Sequence, residues 1–210
     1  MTESAPHLLE PNDCMVLFAD QQAGLAFGVS SIDRQVLLNN VVALAKTAMA
    51  FKLPVVASTS ATKVYSGPLM PAISAALPGV APIERRNMNV WEDDTARAAI
   101  LTTGRRRLIV SGLLSEACVS FTVISALAAG LEVYVVGDAC GGLTAAGHDL
   151  ALRRMEAAGA RPTSWIQVLL ELQRDWTRRE TYDHARAIVE AHGGGYGIGL
   201  SYARDMIHPT

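Results

Sequence analysis

The stretch "RRLIVSGLLSEACVSFTVISALAAG", residues 106–130, decides the fold. Its opening, RRLIVSG (106–112), is an apolar run without clean alternation, the pattern of a strand buried on both faces. A helix pattern follows from about Glu116 to Ala129, and Gly130 stops it. LEVYVVGDA (131–139) then reads as a strand again. Strand, tight turn, helix and strand make the repeating unit of a parallel sheet. The same stretch poses a chemical question. Cys118 falls at the start of the helix, so it is either a packed thiol or a nucleophile held at a helix N-terminus.

Outward from this unit the alternation continues. CMVLFA (14–19) is a buried strand running into Asp20, and apolar spacing predicts a helix from about Asp33 to Phe51. KLPVVAST (52–59) is the next strand, and LMPAISAALP (69–78) a short helix ended by Pro78. A tight polar patch, IERRNMNVWEDD (83–94), precedes a helix that Asp93 or Asp94 caps and that runs to Thr103, with Gly104 as its stop. Further on, a helix is expected over about Thr144 to Ala158, a short strand in ARPTSW (160–165), and amphipathic helices in IQVLLELQRDW (166–176) and from Thr181 to His192. The sum is an α/β chain with about six parallel strands and helices on both faces. The glycine-rich GGGYGIG (193–199) follows a helix rather than a strand, so it is not a phosphate loop. It opens a C-terminal extension whose apolar residues are expected to dock on a neighbouring subunit.

Composition narrows the function. Half of the 210 residues are apolar, 18% are charged, and the formal net charge is −2. Few charges and much apolar surface predict a homo-oligomer. Without a basic tail, nucleic acid and anionic membranes are not expected partners. The opening MTESAPHLLEPNDC lacks the charged and apolar regions of a signal peptide, and no apolar run reaches membrane-span length. Three widely spaced cysteines form no disulfide framework, so a reduced, cytoplasmic protein is expected.

In an open parallel sheet, ligands sit at the carboxyl ends of the strands. That places Asp20, Ser58, Thr59, the segment Gly112 to Cys118, and Asp138 near a site, with Arg85 and Arg86 in the polar patch. A cysteine at a helix N-terminus gains thiolate character from the helix dipole. A nearby carboxylate accepts the thiol proton and returns it to a leaving amine. An arginine supplies the cation such a pair needs, and backbone N–H groups at the helix start stabilise an oxyanion. Asp20, an arginine and Cys118 therefore compose an acyl-transfer site. Taken singly, each has a structural reading: a packed thiol, a turn aspartate, a solvated arginine pair. Cys14 and Cys140 read as packed thiols, and His148 as a surface or capping residue.

The segments FADQQAGL (18–25), IERRNMNVWEDD (83–94), LIVSGLLSEACVSFTVISALAAGLEVYVVGDACGG (108–142) and ALRRMEAAGARPTSW (151–165) resemble the isochorismatase-like cysteine hydrolase superfamily, and within it the YcaC-type branch. The resemblance covers about residue 10 to the end and is carried by the G-x-x-S-x-x-C-V element, the strand-ending Asp20-Gln21-Gln22 and the R-x-x-x-N-x-W patch. It implies a Rossmann-like three-layer α/β/α fold with a six-stranded parallel sheet, in one domain with a core over about 10–178 and a C-terminal helix and extension over about 179–210. It implies a triad of Asp20, Arg85 and Cys118, with Arg86 as the alternative at the basic position. It also implies a cis peptide at Leu114–Ser115 that turns backbone N–H groups, including that of Cys118, towards an oxyanion. Gln22, Arg86, Asn87, Asn89 and Trp91 are the candidate substrate-binding residues. Relatives in this branch form octamers. The second strand ends ASTSATKVYSG, without the histidine that metal-binding members carry, so neither metal nor other cofactor is expected. The function these readings imply is hydrolysis of a small amide or other carbon–nitrogen bond. An activated ester or thioester, or a thiol-reactive oligomer with little turnover, is the alternative.

Overall fold

The computed structural model describes residues 8–207; residues 1–7, the start of the stretch read above for a signal peptide, and residues 208–210 of the extension lie outside the described part. Six strands form one sheet: β1 (Cys14–Ala19), β2 (Val55–Ser60), β3 (Ile83–Arg85), β4 (Arg107–Gly112), β5 (Glu132–Val136) and β6 (Arg161–Thr163). Their order is β3-β2-β1-β4-β5-β6, and every neighbouring pair is parallel. The helices are α1 (Ala23–Ala26), α2 (Arg34–Ala50), α3 (Pro71–Ala76), α4 (Asp94–Thr102), α5 (Ser120–Ala128), α6 (Ala145–Ala157), α7 (Trp165–Gln173), α8 (Arg179–His192) and α9 (Gly195–Tyr202).

Local chemistry starts the main helices where expected. The Asp33 carboxylate accepts from the N–H groups of Gln35 and Val36, Asp93 from Ala96, Thr144 from Gly147 and Ser164 from Gln167. Each satisfies an N–H left without a partner in a first turn. The central strand β1 feeds both layers. Cys14, Val16 and Phe18 join the core packed by α2, α3, α7 and α8, whereas Met15, Leu17 and Ala19 join the core packed by α4, α5 and α6. Burial on both faces removes the alternation that a half-exposed strand would show. Each large apolar side chain so buried contributes roughly 1.5–3 kcal/mol.

The polar patch differs from its sequence reading. Its first three residues, Ile83–Arg85, are an edge strand in register with Ser58–Ser60. A three-residue strand is too short to show a period, so only its partner β2 reveals it. The glycine-rich stretch enters α9, which packs on α8. Tyr196, Ile198 and Tyr202 of α9 are exposed.

The strand order fixes where a site can form. From β1 the chain builds outward through β2 to β3, then returns to add β4 on the other side of β1. Helical connections diverge at this switch point and leave a crevice at the carboxyl ends of β1 and β4. These two ends lie side by side, with Ala19 opposite Gly112. A Cβ at Gly112 would sit 2.5 Å from the Ala19 carbonyl oxygen, so glycine is required for the close approach.

Candidate active site

Three strand ends converge on the crevice, those of β1, β3 and β4. Asp20 follows β1 and has a left-handed backbone, φ 56°. Aspartate tolerates this region better than most residues, and a non-glycine residue held there often marks a functional site. Its amide N–H donates to the Ser58 carbonyl, 3.0 Å, and its carbonyl accepts from Gln22 N–H, 2.7 Å. These bonds turn the chain sharply and direct the carboxylate towards β2 and β3. There Asp20 Oδ2 accepts from Ser60 Oγ at 3.3 Å and forms an ion pair with Arg85 Nη2. Both side chains of the pair are fully buried.

The third group comes from the turn after β4. Residues Ser115–Val119 form a wide helical turn that leads into α5, and Cys118 lies within it. The Cys118 thiol lies close enough to feel the charges of both Asp20 and Arg85. Burial pushes this thiol up to about 11, the Asp20 carboxylate pushes it the same way, and Arg85 pulls it down. Burial and the Asp20 anion thus act against the helix dipole, which favours the thiolate. Burial also raises the Asp20 carboxyl above its ordinary range, against the downward pull of Arg85, Cys118 and Ser60. Asp20 Oδ1, Arg85 Nε and Arg85 Nη1 are buried without an oxygen or nitrogen partner.

Cys118 opens onto a cavity of about 620 Å³ lined by Leu25, Ser60, Ala61, Ser66, Glu84, Arg85, Arg86, Asn87, Met88, Leu114, Ala117 and Cys118. Mostly apolar walls with a few convergent polar groups suit a small organic ligand. Glu84 is held by Thr59 and Thr62, which keeps its carboxyl below the usual range.

The expected residues divide. Arg85 is buried against Asp20, while Arg86 is exposed on the cavity wall, which separates the two candidates for the basic position. Asn87 and Leu114 also line the cavity. Gln22, Asn89 and Trp91 are not among the residues that line it. Gln22 is fully buried and ties the end of β2 to the following loop, accepting from Ser60 N–H and donating to the Ser60 and Gly67 carbonyls. Asn89 caps the turn before α4, accepting from Trp91 N–H and donating to Glu92 and Ser125. Trp91 packs against the core beneath α4. Asp138, at the end of β5, instead accepts from the Trp165 N–H at the start of α7. The cis peptide lies at Leu113–Leu114, one bond before the one expected. Leu114–Ser115 stays trans, with the Ser115 N–H bonded to Gly141 at 2.8 Å.

Two contributors were not singled out in the sequence. Ser60 bonds the Asp20 carboxylate, and its place at the carboxyl end of β2 was the available signal. Gln21 Nε2 donates to Ser111 Oγ and the Ala139 carbonyl, fastening the β1 end to β4 and the loop after β5. Among the described residues no group of three or more His, Cys, Asp or Glu side chains is placed to hold a metal ion.

The isochorismatase domain family matches residues 14–167. The chain belongs to this family. The probable hydrolase YcaC of Escherichia coli K12 is 38% identical over 169 residues, 80% of this chain and 81% of that protein. A crystal structure of the Escherichia coli YcaC gene product, described as an octameric hydrolase of unknown specificity, superposes with a TM-score of 0.91 at 35% identity, covering 98% of this chain and all of that one. YcaC from Pseudomonas aeruginosa, solved with hexane-2,5-diol and covalent acrylamide, gives 0.89 at 36% identity, covering 96% and 100%. No helix among the described residues is long and apolar enough to cross a membrane.

Proposed function

We propose that the chain is an isochorismatase-like hydrolase that cleaves a small amide, or another carbon–nitrogen bond, through an acyl-enzyme on Cys118. The observation that supports this most is that the one cysteine on the cavity wall is also the one coupled to the buried Asp20–Arg85 pair. With the thiol raised to about 11, the proton rests on sulfur until a substrate enters. Asp20 then accepts it as sulfur attacks the carbonyl carbon, so the thiolate exists only during attack. Backbone N–H groups at the start of the Cys118 turn hold the oxyanion. The C–N bond breaks, Asp20 passes the proton to the departing amine, and a thioester remains on Cys118. Asp20 next takes a proton from water, the hydroxide releases the acid, and the proton returns to sulfur. Arg85 favours the ionised form of Asp20 without joining the relay, because a guanidinium does not give up its proton. The protein works as a homo-oligomer, an octamer by similarity to YcaC.

A high thiol pKa and a cation unable to shuttle protons also favour a second reading, a thiol-reactive oligomer with little turnover. A panel of small amides, activated esters and thioesters separates the two, with amine or alcohol release measured beside quenched-flow mass spectrometry of the Cys118 peptide. The hydrolase reading expects a transient acyl mass on Cys118 and equal release of acid and amine. Turnover that survives Cys118→Ala contradicts it, and adducts that form without release establish the second reading.

A further inference from the structure

His148 lies in the first turns of α6 and takes no part in the cavity wall. Its Nδ1 is 2.7 Å from Ser115 Oγ, a fully buried hydroxyl. Burial lowers the imidazole below its ordinary range against the opposing pull of the Asp149 and Glu116 carboxylates, so the ring is neutral at pH 7. The contact is thus a hydroxyl–imidazole hydrogen bond. Ser115 opens the turn that carries Cys118, three residues on. Complete burial excludes the Ser115 hydroxyl as a nucleophile, but it lets any shift of Ser115 pass directly into the turn.

The same turn has a second side-chain anchor on the same neighbour. Glu116 Oε1 accepts from the Leu143 N–H at 3.0 Å, just before α6. Its carboxylate packs so closely that a Cβ on Gly142 or Gly147 would come within 2.9 or 2.7 Å of it. Ser115 N–H completes the attachment by donating to Gly141. The cavity bounds one side of the Cys118 turn, and the segment from Gly141 to His148 braces it from another. Of these anchors, the His148 bond is the one made side chain to side chain.

We propose that His148 is a positioning residue for Cys118, acting through the Ser115 hydroxyl to set the thiol against Asp20. The proposal rests on Cys118 being the nucleophile. It is tested with acrylamide as the probe, reading the adduct rate at each cysteine by peptide mass spectrometry, with thermal unfolding alongside. His148→Ala and Ser115→Ala each slow the Cys118 adduct about tenfold, the order expected for a slightly misplaced nucleophile. The double variant is no slower than either single one, because both remove the same bond. His148→Asn, whose amide falls near the Nδ1 position, restores the rate to within about threefold. His148→Gln, whose amide falls near Nε2, does not, and this pair carries the test should the alanine variants fold poorly. Rates in His148→Ala within about twofold of wild type, effects of the two single variants that multiply, or equal rates for Asn and Gln overturn the proposal. A wild-type Cys118 no faster than Cys140 instead removes the nucleophile reading itself, which keeps the two failures apart.

Discussion

The ends of β4 and β5 are neighbours in the sheet and carry similar residues. Each runs into a short helical turn, and each is followed by a carboxylate and a cysteine: Glu116 and Cys118 after β4, Asp138 and Cys140 after β5. Each carboxylate accepts a backbone N–H from further along the chain, Glu116 from Leu143 just before α6 and Asp138 from Trp165 at the start of α7. Burial raises both thiols, to about 11 for Cys118 and about 12 for Cys140. Yet Cys118 faces the cavity beside Asp20 and Arg85, whereas Cys140 is enclosed in the core, its thiol 4.0 Å from the Val110 carbonyl. The difference lies in the neighbour of each strand. β4 abuts β1, where the strand order reverses and a crevice opens, while β5 is flanked by β4 and β6 with no reversal. Topology, more than local residue types, decides which of the two turns faces the cavity.

The largest effect that separates the two ends is chemical. Cys118→Ala is expected to reduce amide turnover about a thousandfold or more, while Cys140→Ala keeps it within about twofold, both read by amine release. Equal losses would erase the contrast.

Next comes the ion pair. Arg85→Met leaves the Asp20 carboxylate buried without its cation and costs about 3–5 kcal/mol in denaturant unfolding. Arg86→Met, at an exposed position, changes stability by less than about 0.5 kcal/mol. A reversed ranking would move the basic position to Arg86.

Strand-end glycines give a smaller and more local comparison. Gly112→Ala drives a Cβ into the Ala19 carbonyl, a backbone atom that cannot yield, and costs about 1–3 kcal/mol. Gly137→Ala, after β5, meets nothing closer than the end of the Leu152 side chain at 3.3 Å and costs less. Thermal unfolding of the two variants ranks them.

Much of this contrast was legible in the sequence. The runs at 14–19 and 106–112, together with the helix starts read near Asp33, Asp93 and Thr144, outline the α/β chain because buried strands and helix starts are set locally. Asp20, Arg85 and Cys118 stood out as strand-end or patch residues and by resemblance. Side-chain direction was not legible. Asn89 and Trp91 lie in the same patch as Arg85, but the turn before α4 rotates them into capping and packing. His148 occupies a polar helix, and only the placement of α6 brings its ring onto Ser115. The thiol's raised pKa was equally hidden, since desolvation is set by the whole surrounding core.

The most direct test is the rate of iodoacetamide alkylation at each cysteine against pH, mapped by peptide, in wild type and Asp20→Asn. Wild-type Cys118 should react faster than Cys14 and Cys140, its rate climbing towards an apparent pKa of about 11. The Asp20 anion raises that pKa, so Asp20→Asn should bring the rise to lower pH while Cys140, which Asp20 does not influence, stays unchanged. A Cys118 that reacts no faster than Cys140, with a profile indifferent to Asp20→Asn, would contradict the account and leave it a packed thiol.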